Sequence, residues 1–282
     1  MTIISKEDIE QAKCLVVAYH EAVLAGDAAA ANDASTAYDR LVDTLNGGTN
    51  FGSYADESSP GPQIEAAVAA QDGHDPMWGQ AGRFYVEVDG MPTVVVYEPA
   101  FIHGHVELHA VRLEHPFISE TGYRSLFLHG DPAERFAGCS VREAVTAQIQ
   151  ALKREKGALV HPQKCDLALS ELPFVKAGLR DLDATLPTIG DHVFLVQMKQ
   201  VAVVVDVLPR NSVRGPLLRV ARFASRKPKR NAVLSTIVHE EVERWHVEQV
   251  SPDRLKEIDC HGKYLTLGVI EAFEAMNQPE YC

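Results

Sequence analysis

Alternate residues of the stretch HGHVELH, residues 103–109, are His103, His105, Glu107 and His109. Imidazole nitrogens and carboxylate oxygens are donors that zinc, iron and manganese accept. Strand side chains alternate between faces, so these four would project to one side, with Val106, Leu108 and Ala110 on the other. A divalent transition metal held there would activate a bound water, the chemistry of a metal-dependent hydrolase. Each two-residue step along a strand adds about 6–7 Å, so at most two or three of the four can share one ion. A remaining ligand would have to come from His115, His129 or the 239–246 region. The competing reading is the solvated face of an ordinary antiparallel strand, which carries polar residues with no further role.

A second constellation lies in STIVHEEVERWH. A helix there would set His239, Glu243 and His246 at i, i+4 and i+7 on one face, with Leu234, Val238, Val242 and Trp245 toward the other. A His–Glu pair at that spacing grips a metal, yet position 243 is Glu where the HExxH order of zinc peptidases requires His. A solvated helix face is the reading with more weight.

The strongest compositional signal is RNSVRGPLLRVARFASRKPKR, residues 210–230. It contains Arg210, Arg214, Arg219, Arg222, Arg226, Lys227, Lys229 and Arg230 and no acidic residue. The whole chain of 282 residues has 27 basic and 39 acidic residues, a net charge of −12, so the remainder carries 19 basic against 39 acidic. A helix over 216–227 would align Arg219, Arg222 and Arg226 on one face, suited to bidentate phosphate contacts. Phe223 is the segment's single aromatic residue, which gives little support to a base-stacking platform. The segment fits phosphates of RNA or DNA, an acidic patch on a partner or on a second copy of the chain, or a solvated loop.

Other chemistry is largely excluded. The five cysteines, Cys14, Cys139, Cys165, Cys260 and Cys282, are odd in number and form no CxxC, against a disulfide framework or a zinc knuckle. No phosphate-binding glycine loop, dinucleotide fingerprint or Ser-His-Asp order occurs, so no cofactor is indicated beyond the metal that strand 103–109 would take. MTIISKEDIEQ has no apolar leader, and the apolar run VAVVVDVLP is too short to span a bilayer. A cytoplasmic protein without a membrane partner is expected.

The elements that must position these residues read as an α+β protein. Apolar positions Ile9, Ala12, Val16, Tyr19 and Val23, then Ala31, Ala34, Tyr38, Leu41 and Leu45, recur at three- and four-residue steps. They predict a helical hairpin over 1–46, with Gly26 ending the first helix and Asp27 capping the second. Residues 47–82 read as a loop or linker with a short helix at IEAAVAA. RFYVEV and TVVVYE around Asp89-Gly90, then HVELHAVRL and YRSLFL, predict an antiparallel meander, with Pro92 implying an edge or irregular start. SVRE at 140–143 is a capping box for a helix reaching about Lys156, completing a region of 83–160. The rest, 161–282, combines a helix broken or started near Pro173, a strand pair in HVFLVQM and VAVVVDVL, the basic segment, and helices from VLSTIVHEEVERWHVEQV onward.

The first functional expectation is a binding protein that uses the 210–230 surface on nucleic acid or an acidic protein partner. The alternatives are a metal-dependent hydrolase built on strand 103–109, and a protein-binding inhibitor or scaffold working through the helical hairpin and its acidic surface. Self-association is compatible with each.

Overall fold

The hairpin forms where the apolar stripes and caps require it. The computed structural model describes residues 4–99, 104–113, 115–128, 130–156, 160–198, 200–210, 215–223, 237–243 and 247–250. Helix α1 (Lys6–Ala25) opens on a reciprocal capping box: the Ser5 hydroxyl accepts the Asp8 N–H at 3.1 Å, and the Asp8 carboxylate accepts the Ser5 N–H at 2.9 Å. Gly26 closes it in the left-handed conformation, φ 71°, which a side chain would disfavour. Asp27 then accepts the Ala30 N–H at 3.0 Å and starts α2 (Ala28–Leu45). Ala12, Val16, Tyr38, Leu41 and Val42 are buried where the two helices meet α3 (Pro60–Val68) through Ile64 and Val68. Helix α3 begins earlier than IEAAVAA suggests. Pro60 supplies the fixed φ of a first helical turn, where its missing N–H costs nothing.

The meander follows as read. Strands β1 (Gly82–Val88), β2 (Met91–Tyr97), β3 (His105–Ala110) and β4 (Tyr123–Phe127) pair antiparallel in chain order. Asp89 (φ 53°) and Gly90 (φ 79°) form the two-residue link between β1 and β2. Two positive φ values in succession are the geometry that matches strand twist in a tight hairpin. Strand β2 lies inside the sheet and not at its edge, as Pro92 had implied. Its ladder with β3 begins only at Thr93, so the missing proline N–H falls outside that ladder.

One face of this sheet buries Phe84, Val86, Val88, Val95, Tyr97, Val106 and Leu108. Tyr19 and Val23 of α1 and Ala31 and Ala34 of α2 join the same core. After the short helix α4 (Pro132–Arg135), α5 (Val141–Lys156) adds Val141, Ala144, Val145 and Ile149. The predicted capping box holds α5: Glu143 accepts the Ser140 N–H at 2.8 Å and donates its own N–H to the Ser140 hydroxyl at 3.2 Å. Trp78 is fully buried at the centre. Its indole N–H donates to the Cys139 carbonyl at 2.8 Å, its backbone N–H donates to His20 Nδ1 at 3.2 Å, and its ring stacks on Phe136 at 5.4 Å.

The chain divides into two compact units, Met1–Gly178 and Leu179–Cys282. Two further helices, α6 (Leu167–Ser170) and α7 (Pro173–Ala184), precede the second sheet, and α7 starts at the expected proline. That sheet contains β5 (His192–Leu195), β6 (Gln200–Leu208), β7 (Leu217–Phe223), β8 (Ile237–Glu243) and β9 (Val247–Gln249) in the order β8-β7-β6-β5-β9, all antiparallel. The strand pair read in the sequence is therefore the middle of a larger sheet. Segments 217–223, 237–243 and 247–249, expected as helix, are strands. Val193, Leu195, Ala202, Val204, Leu218 and Val220 form the core of this unit. Among the described residues no helix is long and apolar enough to cross a membrane.

Replacing Trp78 by Ala removes the ring and leaves the Cys139 carbonyl without its donor. We expect a loss of about 3–5 kcal/mol in unfolding free energy, measured by urea titration with far-ultraviolet circular dichroism. A loss below about 1 kcal/mol would show that the core does not depend on this ring.

Candidate nucleic-acid interface

The histidine strand is built as the alternation demands. In β3, His105, Glu107 and His109 are half-buried on one face, and Val106, Leu108 and Ala110 are buried on the other. Each polar side chain already has a neighbour. His105 Nδ1 lies 3.0 Å from a Glu98 carboxylate oxygen, and its Nε2 lies 2.7 Å from the Ser125 hydroxyl. Glu107 receives the Tyr123 hydroxyl at 2.9 Å and faces His109 Nε2 at 3.3 Å. Phe127 and Tyr123 of β4 pack their rings against His105 and His109, at 5.0 and 5.2 Å between centroids. Nitrogens and oxygens that would point at an ion instead point at each other. Among the described residues no group of three or more histidine, cysteine, aspartate or glutamate side chains is placed to hold a metal. His103 and His129 lie outside the described residues, and His115 is turned away, its Nδ1 2.9 Å from the Gly90 carbonyl.

The second constellation also changes form. His239 and Glu243 stand on strand β8, so the helical spacing that would have brought them together is lost. Four residues of strand span about 13 Å, too far for one ion. His246 lies outside the described residues.

The basic segment is reorganised most. Residues 217–223 form β7, so Arg219 and Arg222, three residues apart, emerge on opposite faces of a sheet. No arginine stripe exists at these positions. Arg219 sits opposite Asp206 of β6 and Glu241 of β8, with nitrogen–oxygen distances of 3.7 and 3.1 Å. Arg222 grips Glu240 with both arms of the guanidinium, at 3.0 and 2.5 Å, and its side chain is only 15% exposed. That fork geometry is the stronger form of a charge-assisted contact. These two arginines balance acidic strands on either side of them. Arg210 follows β6 among the described residues, whereas Arg214, Arg226, Lys227, Lys229 and Arg230 lie outside them.

The helical part of the first unit carries the opposite charge. Residues 6–67 hold three cations, Lys6, Lys13 and Arg40, against eleven acidic residues. Lys13 is paired with Glu10 at 2.7 Å. A seven-residue step puts Lys6 and Lys13 on the same side of α1.

Helical hairpin plus third helix, followed by a meander and a capped helix, makes the first unit an α+β assembly of two adjoining parts. Comparison with known proteins divides it at the same place. Residues 6–67 match the family model described as the KlcB N-terminal DNA-binding domain, and residues 81–158 match the one described as the KlcB third domain. The first match begins at the first residue of α1 and ends within α3. The second runs from the start of β1 to just past α5. The chain is similar to two Escherichia coli proteins named KlcB. One is 40% identical over 171 residues, 58% of this chain and 41% of the relative. The other is 39% identical over 168 residues, 58% of this chain and 35% of the relative. The chain thus spans well under half the length of these relatives. No solved structure matches. The basic segment lies outside both matched segments. Residues 6–67 carry no comparable sequence signal: apolar spacing there marks helices, and the excess of acidic residues argues against phosphate.

Replacing Arg222 by Ala strips Glu240 of its partner in a half-buried setting. A loss of about 1–3 kcal/mol is expected, read by thermal or urea unfolding. Adding Glu240→Ala should recover part of it. No recovery in the double variant would show that the two side chains do not act as a pair.

Proposed function

We propose that this chain is a DNA-binding protein. The observation that carries the reading is the match of residues 6–67 to the family model described as an N-terminal DNA-binding domain. The helices of that segment supply a rigid support through the buried stripes of α1, α2 and α3. The charge of the segment limits how it works. Three cations against eleven acidic residues cannot neutralise many phosphates. Affinity through these helices alone would therefore depend on a few directed contacts and little on counterion release.

We further propose that the phosphate contacts missing there come from the basic segment. Its cations Arg214, Arg226, Lys227, Lys229 and Arg230 carry this role, and Arg210 adds to it. Arg219 and Arg222 are assigned to the sheet, since acidic neighbours occupy them. No such observation stands behind an acidic protein partner or a metal-dependent hydrolase.

Binding of the intact protein to duplex DNA, single-stranded DNA and RNA, followed by fluorescence anisotropy across a salt series, tests both parts. Duplex binding that is lost on replacing Lys6, Lys13 and Arg40 by Ala supports the helical unit. Each phosphate contact contributes about −0.9 to the slope of log affinity against log salt on duplex DNA. Replacing Arg226, Lys227, Lys229 and Arg230 by Ala should therefore flatten the slope by about 3–4 while leaving unfolding unchanged. An unchanged slope would remove the basic segment from the interface. Absence of duplex binding even at low salt would overturn the DNA reading.

A further inference from the structure

Residues 46–59 join α2 to α3 within the segment that matches the DNA-binding family model. The stretch TLNGGTNFGSYA, residues 44–55, contains no acidic or basic residue and is the longest such run in residues 6–67. Near its middle Phe51 is 90% exposed, more than any other large apolar side chain among the described residues. Single exposed apolar side chains are ordinary on protein surfaces. What sets this one apart is the support beneath it.

The Asn46 side-chain amide donates to the Thr49 carbonyl at 2.7 Å and to the Phe51 carbonyl at 3.0 Å. The Phe51 N–H donates to the Thr49 hydroxyl at 3.2 Å. Gly48, φ 86°, donates its N–H to the Asp43 carbonyl at 2.8 Å and closes α2. Gly52, φ 82°, turns the chain back after Phe51. Ser53 is buried; its hydroxyl donates to the Asn50 carbonyl at 2.8 Å, and its carbonyl accepts the Gly61 N–H of α3 at 2.9 Å. The Tyr54 ring lies against Gly61, where a Cβ would collide with it. Both backbone groups of Phe51 are therefore held by the loop while its ring is held out. A ring presented in this way loses little freedom when it binds.

We propose that Phe51 is a wedge that enters the minor groove of duplex DNA and parts two stacked base pairs, with Arg40 on an adjoining phosphate. The inference rests on the DNA reading and names how the helical unit grips its ligand. Acidic charge over residues 6–67 repels phosphates, and an uncharged loop is where a duplex can come close. The acidic residues that bound the run are Asp43 and Asp56. The Asp56 carboxylate is turned onto Ser58, accepting its N–H at 2.8 Å and its hydroxyl at 2.6 Å. Arg40 lies toward the same end of α2, is exposed and has no acidic partner among the described residues, whereas Lys13 is paired with Glu10. Inserting an apolar side chain between base pairs gains contact without neutralising phosphates. A unit with only three cations can support that kind of binding.

Short duplexes enriched from a random-sequence pool by the intact wild type provide the probe. Affinity is read by fluorescence anisotropy, and unstacking by the permanganate reactivity of thymines. TA steps part most easily, so a thymine at such a step should become reactive on binding. Phe51→Ala should weaken binding by about tenfold or more and abolish that reactivity. It should leave the salt slope unchanged, because no phosphate contact is lost. Phe51→Leu, which keeps an apolar wedge, should retain affinity to within about threefold. A mismatch at the reactive step, which removes much of the cost of parting the pairs, should tighten binding of wild type and not of Phe51→Ala. Thermal unfolding of both variants should match wild type, because the ring is exposed. Failure to enrich any duplex overturns the DNA reading and the wedge with it. Enriched duplexes bound equally well by Phe51→Ala, or bound with no reactive thymine, overturn the wedge alone. Unchanged DNA binding with a changed sedimentation coefficient in Phe51→Ala would assign the ring to contact between copies of the chain and also overturn the wedge.

Discussion

The first unit depends on Trp78. A single buried indole donates to the Cys139 carbonyl just ahead of α5, stacks on Phe136 at the end of α4, and meets Tyr97 of β2 edge-on at 6.2 Å. The backbone of the same residue is tied to His20 on α1. Helical hairpin, sheet and capped helix are thereby joined through one residue. An indole N–H buried in apolar surroundings must find an acceptor, so the ring is fixed in orientation as well as position. The two segments matched separately by family models share this core, which explains why they form one compact unit.

Function in this chain has to be reconciled with charge. The segment similar to a DNA-binding domain is strongly acidic, and the cations are gathered elsewhere in sequence. Within the second sheet, β7 spends two of those cations on its own acidic neighbours. Asp206, Arg219 and Glu241 lie directly opposite one another across three strands, and Arg222 reaches diagonally to Glu240. Cross-strand pairs of this kind stabilise a sheet modestly and fix its register. The cations that remain for a ligand are consequently fewer than the sequence count implies.

Much of the local structure was legible. The stripes and caps of α1 and α2, the Asp89-Gly90 hairpin, the capping box of α5 and the meander order all follow from near-neighbour chemistry. The failures share one cause. LLRVARF and IVHEEVE each contain positions that satisfy a helical period, which aligns their charged residues on one helical face. Their β-branched and alternating character, Leu218-Val220 in one and Val238-Val242 in the other, was the signal available for strands. Short apolar runs satisfy both periods, and only pairing with a neighbouring strand decides between them.

The sequence by itself determined the fold class, the helical hairpin, the meander and the alternation of β3, because these depend on periodicity and on hydrogen bonds between residues close along the chain. Tertiary structure decided which polar groups were already occupied. His105 and His109 became partners of Glu98, Ser125 and Glu107, and Arg219 and Arg222 became partners of acidic strands. It also left the Glu65 Oε1 buried with no hydrogen bond among the described residues. Whether a charged side chain is spent or available depends on residues distant in sequence, and no local pattern records that.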